Sequence, residues 1–149
     1  MAHVLVMEDD PDQAHMLGAL LSNAGHSVEL TYSGGEAWVM LMDRPFDVLL
    51  TDMRVLSAPR AGQSDGGLAL IIRIRNATGA TMPEWLSPMR IIAISGVPMR
   101  SDEILDRART FGANLCLRKP AKSADILSAI NNVMDAAPGT FFPQPALES

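Results

Sequence analysis

Short apolar runs alternate with stretches of helical periodicity along most of the chain. Val4-Leu5-Val6-Met7 is too short for a helix and rich in valine, so it predicts a buried strand. Asp10 and Pro11 follow as a helix cap and first helical residue, with Gln13 in the third position of a capping box. Ala14, Leu17, Leu21 and Ala24 recur at helical spacing until Gly25 ends the element. Val28, Leu30 and Tyr32 alternate with polar residues, as in a half-buried edge strand. Ser33-Gly34-Gly35-Glu36 is a second capping box, opening a helix with Ala37, Met40 and Leu41 that Pro45 closes. Asp47–Asp52 predicts another buried strand, apolar until it ends in a carboxylate.

The same alternation continues. Ser57–Gly67 is a loop rich in Gly, Ser and Pro, after which Leu68, Ile71, Ile72 and Arg75 fall at helical spacing. Ala77–Pro88 is irregular around Trp85. Ile91–Ser95 reads as a fourth strand, stopped at Gly96. Ser101 caps a helix with Asp102 and Glu103 in its first turn and apolar positions Ile104, Leu105, Ala108 and Phe111. Ala113–Arg118 is a fifth strand, stopped by Lys119-Pro120. Ser123 is expected to cap a last helix striped by Ile126, Leu127, Ile130, Val133 and Met134. Pro138, Gly139, Pro143 and Pro145 then exclude a helix, which predicts a domain over 1–136 and a Pro-rich tail over 137–149.

Five strand–helix pairs predict an α/β fold with a parallel sheet covered by helices on both faces. A barrel needs eight such units, so a doubly wound open sheet remains. At 149 residues the chain suits one domain that needs no disulfide, and it holds a single cysteine, Cys116. The net charge of −5 and the scattered arginines argue against direct nucleic-acid binding. The longest apolar run, Ala37–Met42, is far too short to span a bilayer. With no basic leader before Glu8, the expected location is cytoplasmic, with no membrane partner. His3, His15 and His26 sit at no metal-ligand spacing, and the ten methionines read as core filler.

In open α/β sheets ligands sit beyond the carboxyl ends of the strands. That edge collects Glu8 and Asp9, Asp52, Ser95 and Lys119. Three clustered carboxylates repel one another unless a cation compensates, and an all-oxygen set suits Mg²⁺ or Mn²⁺. A lysine and a hydroxyl facing them would complete a cradle for a phosphoryl group. The plainer readings are that Asp10 caps a helix, Asp47 turns the chain at the far edge, Lys119 is an exposed turn residue and Ser95 satisfies backbone.

The stretches Val4–Pro11, Asp47–Asp52, Ile91–Gly96 and Gly112–Pro120 closely resemble the receiver domain of two-component response regulators, over residues 3 to 135 and with every motif in order. The resemblance implies a flavodoxin-like sheet of order 2-1-3-4-5, in a stand-alone single-domain signalling protein that is not an enzyme in the ordinary sense. It implies that Asp52 accepts a phosphoryl group from a sensor histidine kinase or a histidine phosphotransfer protein. Glu8, Asp9, Asp52 and the Arg54 backbone carbonyl would hold Mg²⁺, while Ser95 and Lys119 would bind the phosphoryl oxygens. Contacts with a downstream protein target would then switch through the fourth helix, fifth strand and fifth helix, a face that could also serve a homodimer. Three departures stand out: Leu56 replaces a common proline, the connections at Ser57–Gly66 and Ala77–Pro88 are long, and Cys116 replaces an aromatic switch residue. A receiver-like interaction module that is never phosphorylated is the alternative. A phosphatase of the haloacid dehalogenase type would need an acid where Arg54 stands, and a flavin protein would need a phosphate loop where Glu8-Asp9-Asp10 stands.

Overall fold

The computed structural model describes residues 1–53, 67–77, 79–95 and 107–142. The Arg54 carbonyl, Leu56, the loop Ser57–Gly66, Gly96, the Ser101 cap with Asp102 and Glu103, Ile104, Leu105, Pro143 and Pro145 lie outside them. The strands are β1 (His3–Met7), β2 (Ser27–Thr31), β3 (Val48–Asp52), β4 (Arg90–Ser95) and β5 (Leu115–Arg118). The helices are α1 (Pro11–Asn23), α2 (Gly34–Asp43), α3 (Gly67–Asn76), α4 (helical over 107–111) and α5 (Ser123–Asp135). The strands form one parallel sheet of order β2-β1-β3-β4-β5, as expected.

Side chains alternate across this sheet and divide the core in two. Leu5, Met7, Leu49, Ile91, Ala93 and Cys116 pack with Ala37 and Leu41 of α2, Leu70, Ile71 and Ile74 of α3 and Ala108 of α4. Val4, Val6, Val48, Leu50, Ile92, Ile94 and Leu115 pack on the other face with Leu21 of α1 and Ile126, Ile130 and Val133 of α5. The central strands are buried on both faces, which is why they read as unbroken apolar runs. β2, at the edge, is only partly buried.

Local chemistry sets most boundaries. Asp10 caps α1 through hydrogen bonds from the backbone N–H groups of Asp12 and Gln13, and Ser33 caps α2 through that of Glu36. The cap of α5 differs from expectation. Lys122 fills the cap position by accepting from Asp125 and Ile126 through its carbonyl, so Ser123 is the first helical residue and no side chain caps the helix. The buried face of α3 is Gly67, Leu70, Ile71 and Ile74; Leu68 and Ile72 lie at its margin. Gly67, expected in the loop, is the first residue of that helix. Phe111, expected in the core, is 43% exposed, and β5 begins at Leu115 rather than Ala113.

The first residues of the expected tail are tied to the body. The Asn114 side chain donates to the Thr140 carbonyl, and the Phe142 N–H donates to the Asn114 carbonyl. Phe142 packs against the α1–α5 side of the core. Asn114 Oδ1 also accepts from the Ile91 N–H and from Arg75, whose guanidinium further donates to the carbonyls of Ser87 and Gly112. Burial holds the Arg75 guanidinium below its usual range.

Candidate functional site

Parallel register brings the motif residues to one edge. Met7 pairs with Thr51, so Glu8, one step on, lies beside Asp52. Asp52 pairs with Ile94, and Ser95 pairs with Arg118, which puts Lys119 one step beyond. Hydrogen bonds carry the ladder past the strand ends, from Glu8 N–H to the Thr31 carbonyl at 3.0 Å and from Lys119 N–H to the Ser95 carbonyl at 2.7 Å.

Four of the five expected side chains converge. Carboxylate oxygens of Glu8, Asp9 and Asp52 lie within 4.8 Å of one another. The Lys119 ammonium stands 3.4 Å from Asp52 Oδ1 and 3.5 Å from Glu8 Oε1. At an effective dielectric near 20, the Lys119–Asp52 pair attracts by about 5 kcal/mol before desolvation is subtracted. Glu8 is 2% and Asp52 7% exposed, so that desolvation is substantial. Burial pushes the Glu8 carboxyl up to about 8; its hydrogen bond with Asp52 and the charges of Asp52 and Asp9 add to the rise, and Lys119 opposes it. Among the described residues, Glu8 Oε2 has no hydrogen-bond partner. A stranded, buried carboxylate oxygen within a three-carboxylate cluster fits a hard divalent cation.

Ser95 stands apart from this group. Alternation along β4 puts it on the same side as Ile91 and Ala93, whereas Glu8 and Asp52 continue the side of Val6 and Leu50. Its hydroxyl is fully buried and has no hydrogen-bond partner among the described residues. Asp10 is a helix cap, and Asp47 serves the far edge by accepting from the His3 N–H at 2.9 Å. His3 meets Glu29, and His26 accepts from the Ala2 N–H, so both are structural. Cys116 is buried in the core.

Comparison with known proteins shows the family of the chain. A family model of the response regulator receiver domain matches residues 4–131. The chain belongs to that family. Among relatives of the receiver, Protein PilH of Pseudomonas aeruginosa is 25% identical over 134 residues, covering 90% of this chain and 98% of PilH. The transcriptional regulatory protein ZraR of Salmonella typhimurium is 38% identical over 52 residues, which are 35% of this chain and only 12% of ZraR. The CheY-like receiver domain protein of Methanospirillum hungatei shares the fold, with a TM-score of 0.73 at 20% identity over 91% of this chain and 94% of that one. Receivers take part in two-component signalling, and the acidic cluster of this one suits Mg²⁺. No helix among the described residues is long and apolar enough to cross a membrane.

Two residues of the receiver's edge escaped the motif reading. Gln13 was legible only as part of a cap, yet its side-chain oxygen accepts from the Lys119 ammonium at 2.7 Å. Gly67 brings α3 so close to β3 that a Cβ there would collide with the Asp52 carbonyl oxygen and crowd Met53 and Thr51. The signal for it was a glycine directly before an apolar helical stripe.

Proposed function

We propose that this receiver accepts a phosphoryl group on Asp52 from a phosphohistidine of a sensor histidine kinase or histidine phosphotransfer protein, and thereby changes its contacts with a downstream protein. The reading rests above all on one observation: the strand-end Asp52 carboxylate lies against Glu8 and Asp9 and 3.4 Å from an ammonium. A carboxylate oxygen of Asp52 forms a bond to phosphorus while the phosphorus–nitrogen bond breaks, and the electron pair leaves with the imidazole. Ordinary carboxylates are ionised at neutral pH, so the attack requires no general base. It does require relief from repulsion between Asp52 and the phosphoryl oxygens.

Glu8, Asp9, Asp52 and the Arg54 carbonyl would hold Mg²⁺ or Mn²⁺, which when bound neutralises charge on the transferring oxygens. Lys119 contributes a fixed ammonium on the same side of the sheet. Ser95 offers an unused hydroxyl to a phosphoryl oxygen once a side-chain or backbone adjustment brings it round. The receiver is a phosphoacceptor that takes part in its own phosphorylation and dephosphorylation, at a cytoplasmic site. Its partner face is α4, β5 and α5, where Arg107 and Lys122 are exposed. Loss of partner binding on altering α1, with α4 and α5 tolerant, would refute that assignment.

Incubation of the chain with Mg²⁺ and acetyl phosphate, followed by intact-mass measurement, tests the central step. The expected result is a gain of one phosphoryl group that is absent in Asp52→Asn and absent with EDTA. No adduct from acetyl phosphate or from any phosphohistidine donor would overturn it and leave an interaction module.

A further inference from the structure

Among the described residues the Lys119 ammonium meets three acceptors, and the nearest is not a carboxylate. Gln13 Oε1 lies at 2.7 Å, against 3.4 Å for Asp52 Oδ1 and 3.5 Å for Glu8 Oε1. Gln13 belongs to the first turn of α1, which covers the face of the sheet toward which Glu8 and Asp52 point. The orientation of its amide is set by a second contact: Nε2 donates to Asp10 Oδ2 at 3.4 Å. A carboxylate oxygen accepts, so the NH₂ end of Gln13 faces Asp10 and the oxygen end faces Lys119. Asp10 is itself held by capping α1. A chain of contacts therefore runs from the helix cap through Gln13 to the ammonium beside Asp52.

We propose that Gln13 is a positioning residue for phosphoryl transfer, holding the Lys119 ammonium at the mouth of the carboxylate cluster; this deepens the phosphoacceptor reading and rests on it. A lysine side chain is long and loses considerable rotamer freedom when fixed. Two carboxylates at 3.4–3.5 Å place the charge only loosely, whereas the short bond to Gln13 fixes its third direction. An ammonium already in place when phosphoryl oxygens arrive stabilises their charge without reorganising. Gln13 touches Lys119 rather than the reacting atoms, so its effect passes entirely through that lysine. Because Gln13 is exposed at the rim, replacing it leaves the core intact.

The test uses the whole chain with Mg²⁺ and acetyl phosphate, comparing Gln13→Met, Lys119→Ala and the double variant. Methionine keeps helix propensity and length but removes the acceptor. Adduct formation should slow about tenfold in Gln13→Met, the scale of one lost hydrogen bond to a charged group. In the Lys119→Ala background the same change should do nothing. Relaxation of the Lys119 side-chain nuclei, measured by NMR without any donor, should show a more mobile ammonium in Gln13→Met. Adduct formation at the native rate in Gln13→Met overturns the proposal, as does equal slowing with and without Lys119 or an unchanged Lys119 mobility. If Lys119→Ala blocks the adduct altogether, the relaxation result decides alone. Failure of the native chain to form any adduct would instead count against Asp52 as phosphoacceptor, so the two failures are distinguishable.

Discussion

The buried Glu8 carboxyl makes the stability of this receiver depend on pH in a direction opposite to that of ordinary surface acids. Its pKa rises from the usual 4.5 to about 8, chiefly because burial penalises the charged form. A raised acid binds its proton more tightly in the folded state, so its contribution to stability is fully present below about pH 4.5. That contribution declines as pH rises and is lost above about 8. The full shift corresponds to roughly 5 kcal/mol, and the part between pH 5.5 and 8 to roughly 3 kcal/mol. Glu8→Gln is neutral at every pH and isolates this one group from other titrations. In EDTA, urea unfolding from pH 5.5 to 8.5 should show the native chain losing stability relative to Glu8→Gln, and the variant should be the more stable above pH 8. A bound divalent ion would take the place of the proton. Mg²⁺ affinity should therefore rise nearly tenfold per pH unit between 6 and 7.5, then level off above 8, with proton release detectable by calorimetry in buffers of different ionisation enthalpy. Parallel unfolding profiles for native and Glu8→Gln, or a Mg²⁺ affinity independent of pH, would show that the carboxyl is not held protonated by its surroundings.

Further outcomes follow from the geometry. Gly67→Ala drives a Cβ into the Asp52 backbone carbonyl, so α3 or the end of β3 must shift; a loss of about 1–3 kcal/mol in denaturant unfolding is expected, together with slower adduct formation. Ser95→Ala removes a buried hydroxyl with no partner among the described residues, so unfolding should show unchanged stability or a gain of up to about 1 kcal/mol, while the lifetime of the Asp52 adduct changes. A stability loss above about 2 kcal/mol would mean that the hydroxyl is satisfied in the resting protein. Asn114→Leu breaks the contacts to Arg75, Ile91 and Thr140 and should cost roughly 3 kcal/mol in the same assay. Hydrogen exchange should then open residues 137–142 first.

Much of the molecule was legible because its causes are local. Helix caps at Asp10 and Ser33 act over three residues, and strands buried on both faces announce themselves as short valine- and isoleucine-rich runs. Reading from local pattern failed in a few places. Ser123 looked like a cap, but the helix starts there and Lys122 holds the cap position through its backbone alone. The stripe of α3 was read one residue off, about 100° round the helix, because Gly67, packed on β3, fixes which side faces the sheet. Residues 137–142 are not helical, and their attachment depends on Asn114, which carries no signal for Thr140 in the sequence.

The chemistry of the site divides the same way. The order of acids, hydroxyl and lysine at successive strand ends was written in the sequence, because a parallel sheet places every strand's carboxyl end at one edge. Tertiary structure decided which of them meet. Alternation and register turn Glu8, Asp52 and Lys119 to the α1 side and Ser95 to the other, and packing of α1 brings Gln13 to the ammonium. It also strands one Glu8 oxygen away from water. Residue type is inherited along the chain, but distance and desolvation are properties of the packed molecule, and those two quantities set the charge of Glu8 and the position of Lys119.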